Sequence, residues 1–110
     1  MTMLKEVKKL YVSGPMSGLP GMNFDAFNSA SAALQALGYE TVNPVDLNPD
    51  PNADWLDCIT VDLLALRPCD GIALLPGWER SFGAQIERLA AQRLGLSIFK
   101  IEDLLQAEAA

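Results

Sequence analysis

The stretch DGIALLPGWERSFGAQIE, Asp70 to Glu87, decides the fold. Its first six residues are nearly all apolar, as a central parallel strand covered on both faces must be. Pro76 and Gly77 stop that run, and Ser81 then opens a helix expected to reach Leu94. Within that helix Phe82, Ile86, Leu89 and Ala90 read as the packed stripe, and Glu87 stands beside it, one turn after Gly83. A carboxylate in that position needs a reason, because charge set among apolar side chains is expensive unless paired or neutralised.

Working outward, the same strand-then-helix alternation recurs. Residues 7–13 (VKKLYVS) read as a strand that stops at the turn-rich GPMSGLPG. Asn23 is placed to cap a helix carrying Phe24, Phe27, Leu34 and Leu37 at helical spacing, with Gly38 as its stop. Residues 39–43 read as a second strand cut off by Pro44. DLNPDPNAD is a loop that delivers Asp54 as the cap of a helix over residues 55–67. Residues 97–101 read as a fourth strand, and the tail from Glu102 as a short closing helix. Four alternations predict one α/β domain over residues 1–110. Its sheet is doubly wound and mostly parallel with flanking helices, flavodoxin- or Rossmann-like, with right-handed crossovers. Ligands of such sheets bind at the carboxyl ends of the strands where strand order reverses, so GPMSG and PGWERS share a crevice if strands one and three are neighbours.

Composition narrows the chemistry. With 110 residues, half of them hydrophobic and a fifth charged, the chain is a compact domain, short for a deep site of its own, and a homodimer or higher oligomer is expected. A net charge of −6 argues against a nucleic-acid polymer as partner. No apolar run approaches a membrane span and the N-terminus lacks a signal-peptide core, so the cytoplasm is the expected compartment. There is no histidine, and the two cysteines, Cys58 and Cys69, have no CxxC partner; neither a metal nor a cofactor is expected, and proton transfer falls to a carboxylate, Cys, Lys or Tyr.

Several residues converge on the crevice. Ser81 is a cap whose first helical turn, with Gly83 bare of side chain, suits an anion or serves only to start the helix. Asp62 falls on the stripe of Trp55, Ile59 and Leu66, where it needs a partner or a raised pKa. Asp57 reads as exposed, and Asp70 as a structural cap. Tyr11 either presents its hydroxyl to Glu87 or packs in the core. Trp78 either stacks on a base or covers the crevice. Gly14 and Ser17, from GPMSG, offer backbone to a ligand. The helix start is expected to keep Glu87 a competent carboxylate near neutral pH against the opposing effect of its apolar surroundings.

These motifs, YVSGPMSG, NPVD, Trp55 and CDGIALLPGWERSFGAQIE through to the last strand, resemble the nucleoside 2-deoxyribosyltransferase-like superfamily, and most closely its small DUF4406-type branch with GPMSG and GWE signatures. In the similar deoxynucleoside 5′-monophosphate N-glycosidases a Ser-x-Gly-x-x-x-Glu motif opens the equivalent helix, matched here by Ser81, Gly83 and Glu87. The resemblance implies that Glu87 is a nucleophile, that Ser81 meets a 5′-phosphate, and that Asp62, eight residues before Asp70, is the second catalytic acid. The transferases carry Asp where this chain has Ser81, which points to a phosphorylated substrate; the hydrolases' arginine in the first glycine-rich loop has no counterpart in GPMSG. The family's sites are completed by a neighbouring subunit. The PG…GAxxE spacing is also similar to that of nucleoside-monophosphate phosphoribohydrolases. The expectation is therefore cleavage or transfer at the N-glycosidic bond of a nucleoside or its 5′-monophosphate, with hydrolysis ahead of transfer. The alternatives are a nucleotide-binding module without turnover, or a purely structural interaction protein.

Overall fold

A computed structural model describes residues 6–48, 50 and 52–109. Four strands, β1 (Lys9–Ser13), β2 (Glu40–Val42), β3 (Gly71–Leu74) and β4 (Ser97–Lys100), form one parallel sheet in the order β2-β1-β3-β4. Strand order therefore reverses between β1 and β3, whose register pairs Tyr11 with Ile72 and Ser13 with Leu74. The helices are α1 (Phe24–Ala36), α2 (Pro44–Leu47), α3 (Trp55–Leu66), α4 (Phe82–Leu94) and α5 (Ile101–Ala109). The expected α/β architecture and the neighbouring of the first and third strands both hold.

Period-2 alternation in β1 sorts the core into two layers. Leu10 and Val12 face one side of the sheet and pack with Phe27 and Leu34 of α1 and Ile101 and Leu104 of α5. Tyr11 faces the other side with Ile72 and Leu74, against Leu66 of α3 and Ala91 of α4. Burial on both faces explains why β3 carries no alternation of polarity: all four of its residues are buried. Asp70 ties the start of β3 to β1, its Oδ2 accepting from the backbone N–H groups of Lys8 and Lys9 at 2.9 Å each.

Three expectations need correction. Asn23 precedes α1 but makes no side-chain cap: it is left-handed, with φ of 60°, and its Nδ2 donates to the Pro15 carbonyl at 2.9 Å, tying the GPMSG loop to the helix start. Pro44 does end β2, yet it also begins the one-turn α2, because Asn43 accepts from the Val45 N–H and proline is pre-set for a first helical position. The packed stripe of α4 is only in part Phe82, Ile86, Leu89 and Ala90: Ala90 packs against the core and Ile86 is half-buried. Its buried residues are Ala84, Glu87 and Ala91, while Phe82 and Leu89 are 68% and 51% exposed. Small side chains let α4 approach the sheet closely, and the bulky apolar ones are left outside.

Candidate active site

The carboxyl ends of β1 and β3 open into a cavity of about 360 Å³, walled by the loop after β1, the starts of α3 and α4, and the segment following α2. That is the reversal point of strand order, where an open α/β sheet leaves a crevice.

Glu87 is at its floor, 5% exposed. Residues i and i+2 of a strand share a face, so Tyr11 and Ser13 both aim at α4. Tyr11 Oη donates to Glu87 Oε2 at 2.5 Å and Ser13 Oγ donates to Oε1 at 2.6 Å. Asp62 is buried on α3, at the same cavity, and its Oδ1 accepts from Asn48 Nδ2 at 2.7 Å. Asn48 also reaches back to the Pro44 carbonyl at 3.3 Å, so α2 places the side chain that holds Asp62.

Burial decides the electrostatics of this group. It pushes the Glu87 carboxyl up to about 8; the hydroxyls of Ser13 and Tyr11 oppose that rise, and the negative charge of Asp62 adds to it. Burial also raises the Asp62 carboxyl, against the hydrogen bond from Asn48. The expectation that Glu87 is ionised near neutral pH is thus corrected for the unliganded site. Glu87 lies more than a turn inside α4, where the helix-start field has faded, and desolvation wins. Burial and the facing Glu87 hold the Tyr11 phenol well above its ordinary value, so it remains a donor.

The remaining expected residues are placed as follows. Ser81 caps α4, its Oγ accepting from the Ala84 N–H at 3.2 Å, and lines the cavity with Gly83. A methyl group built on Gly83 would stand 3.9 Å from both Ile59 and Trp55, in contact with the cavity wall. Asp54 caps α3 through the Leu56 N–H at 2.8 Å. Gly14 and Ser17 line the cavity from the β1 loop. Trp78 does not line it: the ring packs in the core layer of Tyr11 and Ile72, with the Arg88 guanidinium 5.4 Å from its centroid. A base-stacking place for Trp78 is therefore withdrawn. The aromatic side chains lining the cavity are instead Phe24, Phe27, Trp55 and Phe82, of which Trp55 and Phe82 stack with centroids 5.7 Å apart.

Sequence reasoning passed over Ser13, Asn48 and Arg80, which lines the cavity. Ser13 was visible through its two-residue offset from Tyr11. Asn48, in an aperiodic Pro- and Asp-rich segment, gave no such signal. Among the described residues no three His, Cys, Asp or Glu side chains converge as a metal site requires, and no helix is long and apolar enough to cross a membrane.

Residues 8–100 match the family described as "Domain of unknown function (DUF4406)". No curated protein matches. Among solved structures, the 2-desoxiribosyltransferase from Leishmania mexicana superposes with a TM-score of 0.67 at 21% identity, over 84% of this chain and 63% of that one. The solution structure of BlsM gives 0.62 at 18% identity, over 80% of this chain and 60% of that one. The Clostridium botulinum CMP N-glycosidase BcmB gives 0.56 at 20% identity, over 83% of this chain and 66% of that one. The chain thus spans roughly three fifths to two thirds of the length of these structures, and what it shares with them is the 2-deoxyribosyltransferase-like fold.

Proposed function

The chain belongs to the DUF4406 family, and from the cavity its fold builds we propose that it cleaves the N-glycosidic bond of a nucleoside or nucleoside 5′-monophosphate, with Glu87 as nucleophile. The observation that carries the reading is the pairing of two buried carboxyls at one cavity: Glu87, gripped by Tyr11 and Ser13, and Asp62, gripped by Asn48. Stability alone gives little reason to bury two acids together, since desolvation opposes both.

In this mechanism the ionised Glu87 attacks C1′ of the sugar and the C1′–N bond breaks. The electron pair leaves on the base nitrogen, which takes a proton from the neutral Asp62 carboxyl. A glycosyl ester of Glu87 results. Water then attacks C1′, Asp62 takes its proton, and the Glu87 carboxylate departs, so that the net products are free base and sugar with retained configuration. Burial of both acids lets the pair keep one proton at neutrality, and its shift from Glu87 to Asp62 as substrate enters gives one ionised and one protonated carboxyl. Tyr11 and Ser13 orient the attacking oxygens, and Ser81 with the first turn of α4 faces the substrate's anionic end. The CMP N-glycosidase and the deoxyribosyltransferase named above lend the reading support through their fold.

The test is incubation of the purified protein with nucleosides and nucleoside 5′-monophosphates of each common base, with free base read by chromatography. Base release that disappears in Glu87→Gln, slows at least tenfold in Asp62→Asn, and leaves ligand affinity within a few-fold is the expected result. Wild-type turnover by Glu87→Gln would remove the nucleophile assignment. Nucleotide binding without base release from any substrate would favour a binding module.

A further inference from the structure

Arg80 ends the turn between β3 and α4 and, among the described residues that line the cavity, is the single basic side chain, the other charged ones being Asp50, Asp62 and Glu87. A methyl group built on Gly77 would come 3.4 Å from Pro15 Cγ and 3.5 Å from Arg80 Nη2. One guanidinium nitrogen therefore lies beside Gly77, where the loops after β1 and β3 meet. Gly77, with φ of 88°, supplies both the turn and the space. No carboxylate neutralises Arg80: among the described residues the one ion pair joins Lys8 and Glu6.

The cavity is therefore electrically polar. The exposed Arg80 guanidinium at its wall draws an anionic group, whereas the buried Glu87 and Asp62 carboxyls are acceptors that offer such a group no favourable charge. A ligand with one anionic end and one neutral end is sorted into a single orientation. A guanidinium also offers paired donors matched to phosphate oxygens, which an ammonium does not.

We propose that Arg80 is the specificity-determining residue that makes the site select nucleoside 5′-monophosphates over nucleosides, by binding the 5′-phosphate and directing the glycosidic end toward Glu87 and Asp62. The proposal rests on the nucleotide reading above and sharpens it: that reading admits either substrate, and Arg80 chooses between them.

The experiment is calorimetric titration of wild type, Arg80→Gln and Arg80→Lys with the nucleoside and the 5′-monophosphate of each common base, at low and high salt. Wild type should bind its preferred monophosphate at least about tenfold more tightly than the matching nucleoside, as a charge-assisted contact implies, with a margin that shrinks in salt. Arg80→Gln should lower monophosphate affinity to the nucleoside level without changing nucleoside affinity, and Arg80→Lys should fall between. Because Arg80 is exposed, the variants should melt with wild type. If Arg80→Gln keeps the wild-type preference, or if wild type binds both forms equally, the role of Arg80 is overturned and cleavage of the glycosidic bond stands. If wild type binds no nucleoside or nucleotide, both fall.

Discussion

Glu87 meets two hydroxyl donors and one nearby acid, and the balance among them sets how the site responds to pH. The carboxyl, pushed up to about 8, is protonated in the resting site at neutrality, and because the reaction uses the pair with one proton, on Asp62, kcat/KM should pass through a maximum in pH and fall along an alkaline limb near 8. Tyr11→Phe removes a donor that lowers this value and should move the alkaline limb to higher pH. The linked effect on stability has a definite sign. Between the ordinary value of 4.5 and about 8 the unfolded chain has released this proton while the folded chain retains it, so stability falls with rising pH over that window and is level above it. Glu87→Gln lacks the titration; its melting temperature should exceed that of wild type by a margin that grows from pH 4.5 to pH 8. A pH-independent margin would show that Glu87 is not the buried group that titrates. Glu87 and Asp62 could be singled out from sequence because each broke or adjoined an apolar stripe. Arg80 could not, since a charged residue in a turn is ordinary and only the closing of two loops over one cavity gives it a role.

Two elements account for the position of that cavity, and only one was legible. The β1-to-loop junction was plain from VSGPMSG, and the structure gives Gly14 a steric reason: a methyl group built there would lie 2.7 Å from Leu75 Cβ, so the end of β1 can close on the end of β3 only at a glycine. Gly14→Ala should therefore destabilise the fold by about 1–3 kcal/mol, as overpacking does, and displace the loop that carries Ser17. Urea unfolding checks the first part; an unchanged midpoint would mean that Leu75 yields at no cost. The other element is α2. Asn43 and Pro44 form a start signature as well as a strand stop, and without the tertiary context the stop was the stronger signal. The shifted stripe of α4 has a similar origin. Periodicity locates a helix well, but Phe82, Ile86 and Leu89 outweigh alanines on any hydrophobicity scale, while the sheet accepts the face whose small residues let it come close.

At the scale of the whole molecule, that shift leaves apolar surface to be explained. Leu56 and Leu64 of α3 are 64% and 67% exposed, and Phe82 and Leu89 of the adjacent α4 are exposed as well. These residues lie on the two helices whose starts form one wall of the cavity. Single exposed leucines need no account, but several on two packed helices of an 11.9 kDa chain resemble an uncovered interface. We expect a homodimer joined through the outer faces of α3 and α4. Such a contact would bury surface on the order of 800 Å² per partner and shelter the stacked pair of Trp55 and Phe82 beside the cavity mouth. Sedimentation velocity at micromolar concentration should give twice the chain mass. Leu64→Glu combined with Leu89→Glu places like charges in the interface of both copies and should yield folded monomers. Neither residue lines the cavity, so a loss of nucleotide affinity in the monomer would mean that the partner helps complete the site, whereas retained affinity would confine the dimer to a structural role. A wild-type monomer, or a double variant that still associates, would place the interface elsewhere or remove it, and the apolar face would then need another occupant.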